Sequence, residues 1–317
     1  MLNFRPITLQ DKKEVQQYIN PNGMQICEYC FTDLYIWKDH YDTEICFQDG
    51  FLFVRMKTFP EKIPMYLMPI GCGDLQKACS IVVADANEND RECIICSIPE
   101  EKIEEIKRIF TDNYEIKLLD GSWDYIYNTE KIQTFSGKKM QSKRNFVNRF
   151  RKQYDGRWSY EAITEKNTEE AYQLHLKWCE EDESTCANGM MYSGETCAVR
   201  IALDNMEELG IHGGMLRLDG EPIAFTLGSP ANQDTYVIQI EKADAHIAGA
   251  YPMIAQQFAQ HNCAGYAYIN REEDLGKEGL RKSKKSYKPL KLAGKFTAIR
   301  KDSAFAADWE NINLEEV

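Results

Sequence analysis

Two stretches lying half a chain apart open in the same way. Residues 4–8, Phe-Arg-Pro-Ile-Thr, read as a short strand, and Asp11 then precedes a helical pattern through Val15, Tyr18 and Ile19. Residues 158–164 are again strand-like and end in Ile163-Thr164, with Asn167 or Thr168 placed to cap a helix through Ala171, Leu174, Leu176 and Trp178. The two Ile-Thr steps are 156 positions apart in a chain of 317 residues, so the simplest reading is two domains of similar fold in tandem, residues 1–136 and 137–317. Phe135–Gly137 supplies the boundary.

The rest of the pattern mixes helices and strands. In the first half, strands are expected near 44–47, 51–56, 66–68, 91–98, 114–119 and 123–127, with helices at 75–85 and 100–110. In the second half, Asp219-Gly220 between two apolar runs is a hairpin turn, because both positions tolerate positive φ. A strand at 235–241, a helix at 251–261, a strand at 266–270, a short helix at 280–286 and a last strand at 296–300 follow. The fold class is therefore α/β or α+β, with antiparallel hairpins and a central strand–loop–helix–strand unit.

Several classes of protein are excluded. The longest apolar runs are far shorter than a membrane span, and the first residues hold no apolar core for a signal peptide, so a cytoplasmic protein is expected. Eleven cysteines then read as reduced thiols. Two Cys-x-x-Cys pairs occur, Cys27/Cys30 and Cys93/Cys96, but they are too far apart for a zinc ribbon, and on a strand Cys93 and Cys96 face opposite ways. No metal site is expected. Walker loops, Gly-x-Ser-x-Gly elbows, His-Glu-x-x-His and complete dinucleotide fingerprints are absent.

The net charge of −12 is unevenly spread. Residues 138–157 carry a net +7 and residues 277–301 a net +9, which leaves −28 for the remainder. Two such basic stretches in an acidic chain point to a polyanionic partner, with solvated surface as the alternative.

The order of elements is that of the acetyltransferase-like fold, in which a strand–loop–helix turn offers backbone N–H groups to a pyrophosphate. The corresponding turn runs from Glu241 to Tyr251, with Gly249, Ala250 and Tyr251 entering the helix. It matches the pattern only in part: His246 stands first, Gly249 agrees, and Tyr251 replaces the last small residue.

Tyr268-Ile269-Asn270-Arg271-Glu272-Glu273-Asp274-Leu275-Gly276, Gly279-Leu280-Arg281-Lys282-Ser283-Lys284 and Tyr287-Lys288-Pro289 form a specific signature. It resembles the bacterial family (DUF2156) related to the C-terminal domain of phosphatidylglycerol lysyltransferases. Phe31-Thr32-Asp33-Leu34-Tyr35-Ile36-Trp37, Gly137-Lys138-Lys139 with Lys143-Arg144-Asn145, and Ala224-Phe225-Thr226-Leu227-Gly228 agree with it, so the resemblance covers nearly the whole chain. It implies two tandem GNAT-like (acyl-CoA N-acyltransferase) domains with mixed sheets flanked by helices, as in Fem-type aminoacyltransferases. It also implies transfer of an acyl or aminoacyl group to an amine or hydroxyl of a small molecule, peptide or lipid headgroup. Aminoacyl-tRNA or acyl-CoA would be the co-substrate, with no tightly bound cofactor.

The residues themselves suggest a division of labour. Asn270, Glu272 and Asp274 follow a central strand and would line its cleft, and Glu241, ending the neighbouring strand, would act as the base. The structural alternatives are a cap for Asp274, a loop partner for Asn270 and a surface pair between Glu241 and Lys242. Arg281, Lys282 and Lys285 would hold phosphates beyond the loop, and Lys138, Lys139, Lys143, Arg144 and Asn145 would form a second phosphate site. Tyr287 either places its hydroxyl in the cleft or packs. A non-catalytic RNA- or polyanion-binding protein of the same fold is the rival reading.

Overall fold

The computed structural model describes residues 2–57, 62–181, 194–303, 306 and 309. The chain divides into two compact units, Met1–Tyr125 with Glu272–Ser283 and Leu292–Val317, and Ile126–Arg271 with Lys284–Lys291. Where the sequence suggests one cut between 136 and 137, these units are discontinuous, and the chain returns to the first unit twice.

In chain order the strands are β1 (Arg5–Pro6), β2 (Glu44–Gln48), β3 (Phe51–Lys57), β4 (Pro64–Leu67), β5 (Ile70–Gly71), β6 (Ile94–Pro99), β7 (Tyr114–Leu118) and β8 (Asp124–Asn128). They continue with β9 (Trp158–Ile163), β10 (His212–Leu218), β11 (Glu221–Pro230), β12 (Thr235–Ala243), β13 (Tyr268–Asn270), β14 (Lys291–Ala293) and β15 (Lys295–Arg300). One sheet has the order β1-β2-β3-β4-β6-β15-β7, with β5 beside β3, and the other β14-β8-β13-β12-β11-β10-β9.

Both sheets repeat one motif. In the first, β4 and β6 are parallel, joined through the helix Leu75–Glu88. In the second, β12 and β13 are parallel, joined through α2, Ala250–Asn262, with α1, Gln141–Gln153, earlier in the chain. A parallel pair needs such a crossover, because a tight turn can only reverse the chain. The hairpin between β10 and β11 turns on Asp219 at φ 54° and Gly220 at φ 90°, both left-handed as the primed turns require.

Each half of the chain lends a strand to the other sheet. β15, near the end of the sequence, pairs antiparallel with both β6 and β7. Residues 126–128 of β8 pair antiparallel with β13. The sequence expectation kept both strands within their own halves. The cores follow the sheets: every residue of β6 is buried, as are Tyr236, Val237, Ile238 and Ile240 of β12. All four cysteines of the two Cys-x-x-Cys pairs are buried. No helix among the described residues is long and apolar enough to cross a membrane.

Candidate functional site

The second unit opens its sheet at one point. β12 is paired with β13 only at Thr235, Tyr236 and Val237, and β13 ends at Asn270, whereas β12 runs on to Ala243. The strand ends therefore part, and Glu241 and Arg271 fill the space as a buried ion pair, their side chains 8% and 10% exposed. Burial raises the pKa of the Glu241 carboxyl, against the pull of Arg271, Lys143 and Lys284. Burial is the largest influence on the Arg271 cation and disfavours it, but Glu241, Tyr287 and Tyr127 together outweigh it and the guanidinium stays charged.

Aromatic rings and lysines enclose this pair. The Arg271 guanidinium lies 4.4 Å from the Tyr287 ring centre and 5.7 Å from that of Tyr127. Lys143 Nζ sits 3.7 Å from the Tyr287 ring centre, so the ring carries two cations. Lys284 Nζ donates to the Arg271 carbonyl at 2.6 Å, and the Tyr127 hydroxyl donates to the Lys284 carbonyl at 2.8 Å. Tyr287 is itself buried, with its ring 6.0 Å from that of Phe135.

Beside Lys143 is a pocket of about 760 Å³ within the same unit. Five basic side chains line it, Lys138, Lys139, Lys143, Arg149 and Lys288, and no carboxylate or imidazole does. The helix α1 makes one wall. Ser142, Asn145, Phe146 and Arg149 fall at i, i+3, i+4 and i+7 and share a face, while Val147 and Phe150 are buried on the other. Lys138, Lys139, Lys143 and Asn145, four of the five residues expected to form a second phosphate site, line this pocket. Arg144 does not: it donates to the carbonyls of Phe135 at 2.6 Å and Gly137 at 3.2 Å, closing the turn before α1. Arg149 and Lys288 were missed, although the helical spacing from Ser142 to Arg149 marks the first of them.

Gly249 precedes α2 at φ 95°, a left-handed value that favours glycine. A Cβ there would stand 3.0 Å from the Phe146 carbonyl oxygen and 3.1 Å from Phe150 Cβ. The close approach at this glycine is that of α1. Ala250 is buried and Tyr251 is 40% exposed.

The other candidates are distributed between the units. Asn270 and Glu241 belong to the second, Glu272 and Asp274 to the first. Asn270 is buried at the end of β13. Glu241 and Lys242 do not pair with each other, because Lys242 goes to Glu195 at 2.7 Å. Glu272 adopts φ 54°, and its carbonyl accepts the Tyr125 N–H at 3.1 Å.

Asp274 is buried and takes four hydrogen bonds within the first unit. Their donors are the Tyr125 hydroxyl at 2.6 Å, Arg281 Nε at 2.9 Å, Arg281 Nη2 at 3.0 Å and the Gly276 N–H at 3.0 Å. Burial works to raise its pKa, but these donors win and hold it below the ordinary carboxylate value. Arg281 is fixed in turn by Asp274 and by Asp120 at 3.0 Å, so its fork is spent on carboxylates and not left for phosphate. The turn that presents Asp274 is tied to Gly121, whose carbonyl accepts from Asp274 and Leu275 at 3.2 and 3.0 Å. A side chain at Gly121 would collide with the Gly276 nitrogen.

Asp274→Ala is therefore expected to lower stability more than turnover. It strands a bidentate arginine and a tyrosine hydroxyl, and should cost about 2–4 kcal/mol in urea denaturation. Loss of turnover with an unchanged unfolding midpoint would reverse this assignment. Lys282 and Lys285 are exposed on the helix α3, Glu278–Ser286, the first in unit 1 and the second in unit 2.

A second buried cluster lies in the first unit. Lys295 Nζ is 2.8 Å from Asp124, 2.9 Å from Glu28, 3.0 Å from Glu273 and 3.3 Å from Cys27 Sγ. Burial is the largest influence on Asp124. Lys295 opposes it, but Glu273 and Glu28 add to it, and the carboxyl is pushed up to about 7. Cys27, Asp124 and Glu273 have the mutual spacing of metal ligands, but the lysine ammonium stands among them.

The family described as "Phosphatidylglycerol lysyltransferase, C-terminal" matches residues 22–299. A conserved protein of unknown function from Bacteroides thetaiotaomicron is similar at 34% identity and a TM-score of 0.89, over 95% of this chain and 100% of that one. L-PGS from Bacillus licheniformis is similar at 16% identity and a TM-score of 0.59, over 87% and 93%. FemX is similar at 10% identity and a TM-score of 0.61, over 96% and 99%. The last two likenesses are of fold alone: the chain shares its mixed α/β architecture with L-PGS and FemX. An uncharacterised protein of Mycoplasmoides gallisepticum is 25% identical over 177 residues, and the match spans 56% of the length of that curated relative.

Proposed function

Because this chain belongs to the phosphatidylglycerol lysyltransferase C-terminal family, we propose that it is an acyl- or aminoacyltransferase whose second unit carries the reaction. The observation that carries the reading is the pocket, with five basic side chains and no acidic one. Such a lining suits the phosphates of a nucleotide-borne donor, aminoacyl-tRNA or acyl-CoA, and offers little to a neutral or cationic one. The acceptor is an amine or hydroxyl on a small molecule, a peptide or a lipid headgroup.

Transfer from an ester or thioester needs no covalent enzyme intermediate. The acceptor attacks the carbonyl carbon once both are held in line, and cations beside the carbonyl oxygen stabilise the charge that develops there. The aminoacyl donor is favoured over acyl-CoA by Gly249, because α1 takes up the space on its open side.

The test supplies lysyl-tRNA or acetyl-CoA with phosphatidylglycerol vesicles or glycinamide as acceptor, and follows label leaving the donor. Transfer above the uncatalysed rate with either donor supports the reading. Salt-dependent tRNA binding with no transfer in any combination would favour a non-catalytic polyanion-binding protein. Lys139→Ala with Arg149→Ala is expected to weaken tRNA binding about tenfold or more, and to reduce the slope of log K against log salt by roughly 1–2. An unchanged slope would remove the pocket from the tRNA path.

A further inference from the structure

We propose that Lys143 is the proton acceptor of the transfer, taking the proton of the attacking amine or hydroxyl and passing it to the departing oxygen or sulfur. The inference rests on the transferase reading and names a group within that same site. It begins with what the pocket lacks. Acyl transfer to an amine or hydroxyl releases a proton as the new bond forms, and some group must take it. The pocket lining holds no carboxylate and no imidazole, so an amine is left to do this.

Glu241, the base expected from the sequence, is close by but buried, held by Arg271, and not part of the pocket lining. Of the lining amines, Lys138, Lys139 and Lys288 are exposed, whereas Lys143 is partly buried with its Nζ over the Tyr287 ring. Four groups act on it: the Tyr287 ring below, Arg271 and Lys288 as like charges, and Glu241 as the opposing one. Burial lowers its pKa most, Arg271 and Lys288 lower it further, Glu241 opposes them, and the result is about 8. A useful fraction of the amine is then neutral near neutral pH, and its conjugate acid is strong enough to return the proton.

The step balances without another reactant. The acceptor nitrogen or oxygen bonds to the donor carbonyl carbon, and its proton moves to the Lys143 lone pair. The bond from that carbon to the leaving oxygen or sulfur then breaks. The Lys143 ammonium protonates the leaving atom and is neutral again.

The conservative variant separates this role from phosphate binding. Lys143→Arg keeps the positive charge and the contact with Tyr287, but arginine does not give up its proton at working pH. With lysyl-tRNA and the acceptors named above, Lys143→Arg is expected to bind tRNA within twofold of the parent, while kcat falls at least about 100-fold. In the parent, kcat/KM should rise about tenfold per pH unit below 8 and level off above it.

A second measurement needs no turnover. Trace acetylation with acetic anhydride across a pH series, read by mass spectrometry, should give Lys143 a midpoint near 8. A midpoint in the ordinary lysine range overturns the inference. So does a Lys143→Arg variant that turns over like the parent, which would leave the transferase reading standing. If the parent transfers nothing from either donor, both fall together.

Discussion

Arg271→Met is expected to destabilise the second unit by about 3–5 kcal/mol in urea denaturation at pH 7.5. The substitution keeps a long apolar stem between Tyr127 and Tyr287 but removes the ion-pair partner of Glu241. A buried carboxylate without its cation either stays charged at a high solvation cost or takes up a proton. Its pKa, already raised by burial, rises further, so the variant should regain more stability than the parent as the pH falls toward 5, and the gap between them should narrow. Replacing both partners tests the account. Arg271→Met with Glu241→Leu leaves no charge uncompensated and should recover at least half of the loss, because well-packed apolar residues often match a buried pair. If the double variant is as unstable as the single, the loss comes from packing against the two tyrosines. The pair also bears on the chemistry, since Arg271 lowers the Lys143 pKa and Glu241 raises it. Removing Arg271 alone should move the rise in the pH–rate profile upward, and removing both should leave it near its original place.

Much of this architecture can be read in the residues. The two Ile-Thr openings anticipate two units, each of which contains a parallel pair joined through a helix. Asp219-Gly220 anticipates its hairpin because the primed turn needs positive φ at both positions. Lys138, Lys139 and Lys143, cations of one basic stretch, line a single pocket because α1 presents a face to it. What the residues do not carry is partner choice. The alternation of a strand records which side faces the core but not which sheet it joins, so the exchange of β8 and β15 leaves no local trace.

Buried charge is hidden for a related reason. Lys295 is one of many cations in the stretch 277–301, and Cys27, which it meets, is 268 positions away. Arg271 reads as one charge in a polar run, and its partner Glu241 lies 30 positions earlier on another strand. Asp274 and Arg281 are seven apart, and their spacing alone cannot distinguish a structural clasp from two separate ligands. In all three cases the charged side chains are satisfied by the fold itself.

Lys295→Met should have the largest effect on stability of any substitution considered for the first unit. Its ammonium pairs with Asp124, Glu28 and Glu273 alike, and its side chain is just 6% exposed. Without it three carboxylates face one another around a thiol, and a loss of about 3–5 kcal/mol or more is expected at pH 8. The pH dependence identifies the cause. In the parent, Asp124 has its folded pKa raised to about 7 from an unfolded value of 3.8, so the folded state holds a proton that the unfolded state has released. A raised carboxyl of this kind contributes stability that fades as the pH climbs from about 4 to 7, and the decline between pH 5 and 8 should be on the order of 2 kcal/mol. Asp124→Asn, which fixes the neutral form, should flatten that slope. In Lys295→Met the carboxyls bind protons more tightly still, so the slope should steepen and the gap from the parent should narrow at pH 5. Asp274 titrates the other way, its depressed pKa making its contribution fade only as the pH falls below about 4, and it leaves the window between 5 and 8 to the cluster. A gap between parent and Lys295→Met that stays constant from pH 5 to 8 would mean that lysine packing, and not its charge, holds this part of the first unit together.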